Sequence, residues 1–179
     1  MGPIEYFYIS IQLVIMLVGV ARGYAKELGN TLIFMVAIFL LSYFGEQAET
    51  LVKLTGERAF NIAPDSDAMR TFLMVTFTVA FGMMVFASYA GRTLEFPGKP
   101  IEPPGGFLLS VLIGLLNGYL VAGTLWYYMN KFAYPGGVVT QPLSPTAQLM
   151  IEFLPQTVFP SPVAWMVPVA ILLLMRVRG

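Results

Sequence analysis

Between its charged residues the chain carries apolar blocks without a charge at positions 6–21, 28–45, 71–91, 103–130 and 153–175. Hydrocarbon offers a backbone no water to bond. A run that crosses it must pair its N–H and C=O groups within a helix or a closed barrel. Barrel strands alternate polar and apolar residues over about ten positions, whereas Ile33 to Leu41 is continuously apolar. At ~1.5 Å per residue, eighteen helical residues reach roughly 27 Å, close to a ~30 Å hydrocarbon core. The sequence therefore predicts an all-α integral membrane protein, with spans at about 4–21, 28–44, 71–91 and 107–129. A further apolar segment, 163–175, is short and contains Pro168. It is expected to be a fifth C-terminal span or a re-entrant segment, because Pro is tolerated in membrane helices. Trp165 and Arg176 are placed to anchor its ends. No linker or internal repeat divides the chain, so residues 1–179 are read as a single multi-spanning domain.

Composition agrees. Residues AVILMFWYC make up 57% of the 179 positions and DEKR only 11%, against about 45–50% and 25% in soluble domains. That is too little charge to cover a water-soluble surface. Ten basic residues balance ten acidic ones, which argues against a nucleic-acid partner. Histidine and cysteine are both absent. Zinc, haem and iron–sulfur sites thereby lose their usual ligands, and Ser-His-Asp and Cys-His catalysis are excluded. No cofactor, metal site or enzymatic activity is expected. Glu46 with Glu49, and Asp65 with Asp67, are close in sequence but fall in a polar loop, where an exposed acidic patch is the expected reading.

The N-terminal run is expected to be a retained helix rather than a signal peptide, since Met1 to Tyr6 holds Glu5 and no Lys or Arg. With five spans, one side of the membrane would hold Arg22, Lys26, Arg92, Lys99, Arg176 and Arg178. The other would hold Lys53, Arg58, Arg70 and Lys131. The positive-inside rule makes the first set cytoplasmic, with the N-terminus outside and the C-terminus inside. Tyr6, Tyr8, Tyr43, Phe44, Trp126 to Tyr128 and Trp165 fall on one side and are expected to form an interfacial belt.

Loop chemistry marks the connections. Glu46 to Leu54 either extends the second helix or lies along the interface. Pro64-Asp65-Ser66 predicts a helix start, with Asp67 favouring the dipole there. Pro97, Pro100, Pro103 and Pro104 mark a loop over 96–106, and Pro135-Gly136-Gly137 marks a turn. Ser144-Pro145 should open a short helix from Pro145 to Leu154, lying along the membrane surface and ended by Pro155, Pro160 and Pro162.

The fourth span carries Gly106, Ser110, Gly114, Gly118 and Ala122, one small residue every four positions. Such a ladder lets two backbones approach closely and predicts a helix-packing seam. Gly19 and Gly23 on the first helix, also four apart, are a candidate partner, with a second copy of the chain as the alternative. Asn117 lies inside the same span, and a buried amide needs a partner, so it should face another helix or water. Deep ionisable groups are expected to be nearly absent. In the turn Gly19-x-x-Arg22-Gly23-x-x-Lys26-Glu27, Arg22 and Lys26 are expected to snorkel as a cytoplasmic anchor, or to form a docking knob, with Glu27 paired to either.

These features together resemble the colicin V production protein (CvpA) family of bacterial inner-membrane proteins. Ile4-Glu5-Tyr6 leads into an apolar helix. The Arg22-Gly23-x-x-Lys26-Glu27 turn is similar to the family's Arg-Gly-x-x-[Arg/Lys]-Glu. Gly114-x-x-Asn117-Gly118 is similar to its Gly-x-x-[Arg/Lys]-Gly run. The resemblance covers roughly residues 4–132. Glu5 stands where the family usually has Asp, Asn117 where it has a basic residue, and Gly105-Gly106 where an Asp-Arg pair is typical. A fifth apolar segment is added to the usual four spans. The resemblance implies a divergent, non-enzymatic protein of the bacterial inner membrane. It would serve toxin production, export or envelope maintenance through helix packing and contact with other subunits or its own copies. The alternatives are an accessory subunit of a larger membrane complex and a small transporter or channel. Asn117 and the Pro-interrupted last segment are the motive for the last of these.

Overall fold

The computed structural model describes residues 3–91, 94–96, 101–102 and 104–178. Arg92, Lys99 and the Arg178 side chain from the charge count, and Pro97, Pro100 and Pro103 from the loop, lie outside the described residues. Among those described there is no strand. The helices are α1 (Ile4–Arg22), α2 (Tyr24–Tyr43), α3 (Gly45–Phe60), α4 (Asp67–Ala90), α5 (Gly105–Lys131), α6 (Pro145–Glu152), α7 (Pro155–Val158) and α8 (Pro162–Arg178). Four of them, α1, α2, α4 and α5, are long and apolar enough to cross a membrane. The α8 helix is apolar but shorter, at 17 residues.

The helix limits follow local chemistry. A single residue, Gly23, joins α1 to α2 at φ +85°, a left-handed value that glycine adopts without steric cost. Ser66 caps α4 by accepting from Met69 N at 3.1 Å, with Asp67 in the first turn. Ser144 caps α6 by accepting from Ala147 N at 3.0 Å, with Pro145 following. The Ser144 hydroxyl also donates to Glu5, tying α6 to the start of α1.

Several expectations are corrected. The second helix begins at Tyr24 rather than 28, because Glu27 is folded into it instead of marking its border. The third and fourth reach outward to Asp67 and Lys131, since capping and last-turn residues extend a helix past its apolar run. The polar 45–60 stretch is a separate helix set off at Phe44, and it lays Gly56 against Met69 of α4. The surface helix stops at Glu152, and Pro155 and Pro162 each open a new helix rather than ending one, since the first turn needs no N–H there.

α5 is the hub, packing on α1, α2, α4 and α7, while α8 lies along α2. The main core gathers Ile15, Phe34, Ile38, Phe81, Leu120, Val121 and Trp165. The aromatic belt is overturned in part. Tyr6, Tyr43 and Phe44 are exposed, but Tyr8, Trp126, Tyr128 and Trp165 are buried inside the protein. Each buried indole has a protein acceptor in place of an interfacial one: Trp126 donates to the Tyr134 hydroxyl at 2.9 Å and Trp165 to Phe159 O at 3.2 Å. Trp165 is thus a core residue and not an end anchor.

Candidate functional site: a closed carboxylate cage

The small residues of α5 decide how close α1 can come. A Cβ built on Gly114 would lie 2.9 Å from Met16 O, and one on Gly118 would lie 2.7 Å from Gln12 O. Across the seam, a Cβ on Gly19 would meet Gly114 Cα at 2.8 Å. Only glycine lets these two backbones touch. Ser110 and Ala122 are buried, and Ala122 joins the cluster that holds Ile4 and Tyr8 of α1. Gly106 is outside the seam: its missing side chain makes room for the carbonyl of Ile101 in the preceding loop, at 2.3 Å from a built Cβ. Gly23 has nothing within 4 Å and serves the turn alone. The seam joins two helices of one chain.

This close approach brings the end of α1 and the start of α2 against the middle of α5, where the expectation about ionisable groups fails. Glu27 is 0% exposed. Its Oε1 receives the Asn30 amide at 3.0 Å and pairs with Arg22 Nε at 3.1 Å. Its Oε2 receives Asn117 Nδ2 at 2.8 Å and the Tyr89 hydroxyl at 3.2 Å. Asn117 Nδ2 also lies 3.0 Å from the Glu27 carbonyl. The Thr31 hydroxyl lies 2.6 Å from Asn117 Oδ1 and 2.9 Å from Glu27 O, and its one proton serves either. Groups from α1, α2, α4 and α5 therefore meet on a single carboxylate.

Arg22 completes the cage instead of snorkelling freely. Its guanidinium sits 4.9 Å from the Tyr89 ring centre, and Nη1 donates to Tyr89 O at 3.4 Å. Lys26 points elsewhere, 3.5 Å from Glu95. Glu95 belongs to a strap over the start of α2, where Phe96 N donates to Ala25 O at 3.3 Å. A Cβ on Gly29 would fall 1.6 Å from Leu94 O, so only glycine admits the strap there.

Taking a carboxylate out of water costs several kcal/mol unless good partners replace the solvent. Here an arginine, two amides and a phenol replace it, at the N-terminal turn of α2 where the helix dipole favours an anion. What the arrangement does chemically is lock four helices to one charge. Asn30 Oδ1 is buried without a hydrogen-bond partner among the described residues.

The sequence reading singled out Glu27, Arg22 and Asn117 but missed Asn30, Thr31 and Tyr89. Asn30 and Thr31 stand three and four residues after Glu27, on one face of α2, so helical spacing alone marks them. Tyr89 carries no comparable signal, since a tyrosine near a span end is ordinary.

A second polar group lies toward the other end of the bundle. Gln156 of α7, 6% exposed, donates to Thr124 at 3.0 Å, and its Oε1 has no partner among the described residues. A Cβ on Gly123 would lie 2.4 Å from Pro155 Cδ, so α7 is pressed directly onto α5. Beyond it, Glu49 on α3 bridges Lys53 at 3.1 Å and Lys131 at 3.0 Å. Burial alone would raise the Glu49 carboxyl. The two lysines outweigh it and hold the group below the usual carboxylate range. No group of three or more metal-ligating side chains occurs among the described residues. No family model, curated protein or solved structure matches this chain.

Proposed function

We propose that this is a non-enzymatic inner-membrane protein that works as a rigid docking subunit, in the sense the CvpA resemblance implies: toxin production, export or envelope maintenance. The observation that carries this reading is the closure of the Glu27 cage. Glu27, fully buried, is held by four neighbours on four helices, an arrangement suited to holding a shape. The glycine seam is consumed within the chain, so partner contact falls to other surfaces. α1 turns Phe7, Leu13, Val14 and Leu17 outward, and α4 turns Val75, Val79, Met83 and Phe86 outward. Exposed apolar residues of this kind suit lipid and neighbouring spans alike.

Extraction in mild detergent, followed by mass spectrometry of what co-elutes, tests the reading. Stoichiometric recovery of another membrane subunit, or a defined homo-oligomer, is expected. A stable lone monomer across several mild detergents overturns it. The accessory-subunit alternative shares this test and separates by the identity of the partner. The transporter alternative draws on the unserved Asn30 Oδ1 beside Glu27. It requires solute flux in liposomes that Asn117→Leu abolishes.

A further inference from the structure

Two cavities lie one above the other between α2, α5 and the C-terminal helices, and their chemistries are opposite. The larger, about 480 Å³, is bounded by Met35, Leu116, Leu120, Trp165, Pro168 and Ile171, and its wall is almost wholly apolar. The smaller, about 180 Å³, is bounded by Ser42, Glu46, Tyr127, Tyr128, Lys131 and Gln156. The segment Gln156–Pro160 divides them, with Phe159 facing the first and Gln156 and Pro160 the second. Met35 to Ser42 on α2 and Leu120 to Tyr127 on α5 are both seven residues. The two cavities are thus offset by about 10 Å along the helices. The apolar one sits at span depth and the polar one where α2 and α5 end.

We infer that this pair of cavities is a binding site for one phospholipid with a primary-amine zwitterionic headgroup, a phosphatidylethanolamine. An acyl chain fills the apolar groove, and the headgroup enters the polar pocket. Three observations select that headgroup. Gln156 Oε1 is a buried acceptor with no donor among the described residues, and an ammonium supplies N–H groups. Glu46 beside it is exposed and has no ion-pair partner among the described residues, so a cation is wanted at this point. Lys131 pairs with Glu49 through one contact and keeps further donors for a phosphate, since an ammonium carries three. One unsatisfied anion, one buried acceptor and one cation match a zwitterion better than an anionic head. Pro168 helps to shape the groove: it has no N–H to bond back along α8, so one intrahelical bond is missing beside the cavity.

The test uses the full chain, delipidated in detergent, with native mass spectrometry after addition of phosphatidylethanolamine, phosphatidylcholine or phosphatidylglycerol of identical acyl chains. Phosphatidylethanolamine is expected to be retained at least about fivefold over phosphatidylcholine, because a quaternary ammonium has no N–H for Gln156 and leaves the acceptor unpaired. Glu46→Gln, at an exposed position, is expected to shrink that ratio toward one. Ala164→Phe, which fills the groove, is expected to lower retention of all three lipids at least about fivefold, and Val167→Phe serves if the first variant does not fold. Equal retention of the ethanolamine and choline lipids, preference for the glycerol lipid, or an unchanged ratio in Glu46→Gln overturns the headgroup assignment. Unaltered retention in the folded groove-filling variant overturns the site.

Discussion

Gly118→Ala adds one methyl to the face of α5 that rests on α1. That carbon would sit 2.7 Å from Gln12 O and 2.9 Å from Gln12 Cα, backbone atoms with no rotamer to escape through. Ordinary contact begins near 3.4 Å, so the two helices must part by several tenths of an ångström. A gap of that size forfeits about a quarter of each close contact along the seam, and overfilling a tight interior generally costs about 1–3 kcal/mol. Gly82→Ala is the control. It lies within α4 with nothing inside 4 Å, and replacing a mid-helix glycine there is expected to be neutral or to stabilise by up to ~1 kcal/mol. Unfolding in mild detergent, followed by tryptophan fluorescence, reads both. Trp126 packs on Tyr8 of α1 with ring centres 5.5 Å apart, so its emission reports the seam directly. If Gly118→Ala unfolds within about 0.5 kcal/mol of Gly82→Ala, close backbone contact is not what joins α1 to α5, and the reasoning fails.

Other outcomes follow from the same geometry. Asn117→Leu removes one donor from the buried Glu27 carboxylate and one from the Glu27 backbone carbonyl, and is expected to cost about 2–4 kcal/mol; pairing it with Glu27→Gln in a double-mutant cycle should recover part of that, and strict additivity would contradict the cage. Gly29→Ala cannot coexist with Leu94 O where it stands, so limited proteolysis should cut near Leu94–Phe96 faster than in the parent, while equal cutting rates would count against the strap. Ser144→Ala removes the α6 cap and the partner of Glu5 and is expected to cost about 1–2 kcal/mol, read as early amide exchange in 146–152. Glu49 is held below its ordinary value of 4.5, so its stabilising contribution is present above that pH and disappears as the pH falls through the lowered value. The stability gap between parent and Glu49→Gln should therefore close in acid, and a gap unchanged down to pH ~3 would refute the clamp.

The spans were legible because hydrocarbon leaves a chain few options: an apolar run long enough to cross it has to be helical. The capping residues Ser66 and Ser144 were legible for a similar reason, since each solves a local hydrogen-bonding problem. Burial of charge was not. Glu27 reads in one dimension as a border between two runs, because its neutralising partners lie on other helices, and Asn117 is ninety positions away. The same blindness placed Trp126 and Trp165 in a lipid belt. An indole seeking an acceptor at the interface and one that has found Tyr134 or Phe159 look identical in a sequence. Gly106 was grouped with Gly114 and Gly118 by spacing alone, although its open space serves a loop carbonyl. Spacing says which residues share a stripe and is silent on what faces each part of it.

The one-residue hinge at Gly23 has a consequence for how the molecule is made. Two membrane-crossing rods joined so tightly must enter the bilayer as a pair, carrying Arg22 and Glu27 in together as an internally neutral couple. The amide that completes the couple's shell belongs to α5, which leaves the ribosome after α4. From insertion of that hairpin until α4 brings Tyr89 and α5 brings Asn117, the acidic group has only Arg22 and its own helix beside it in lipid. Biogenesis therefore has a vulnerable interval that ends when residue 117 docks.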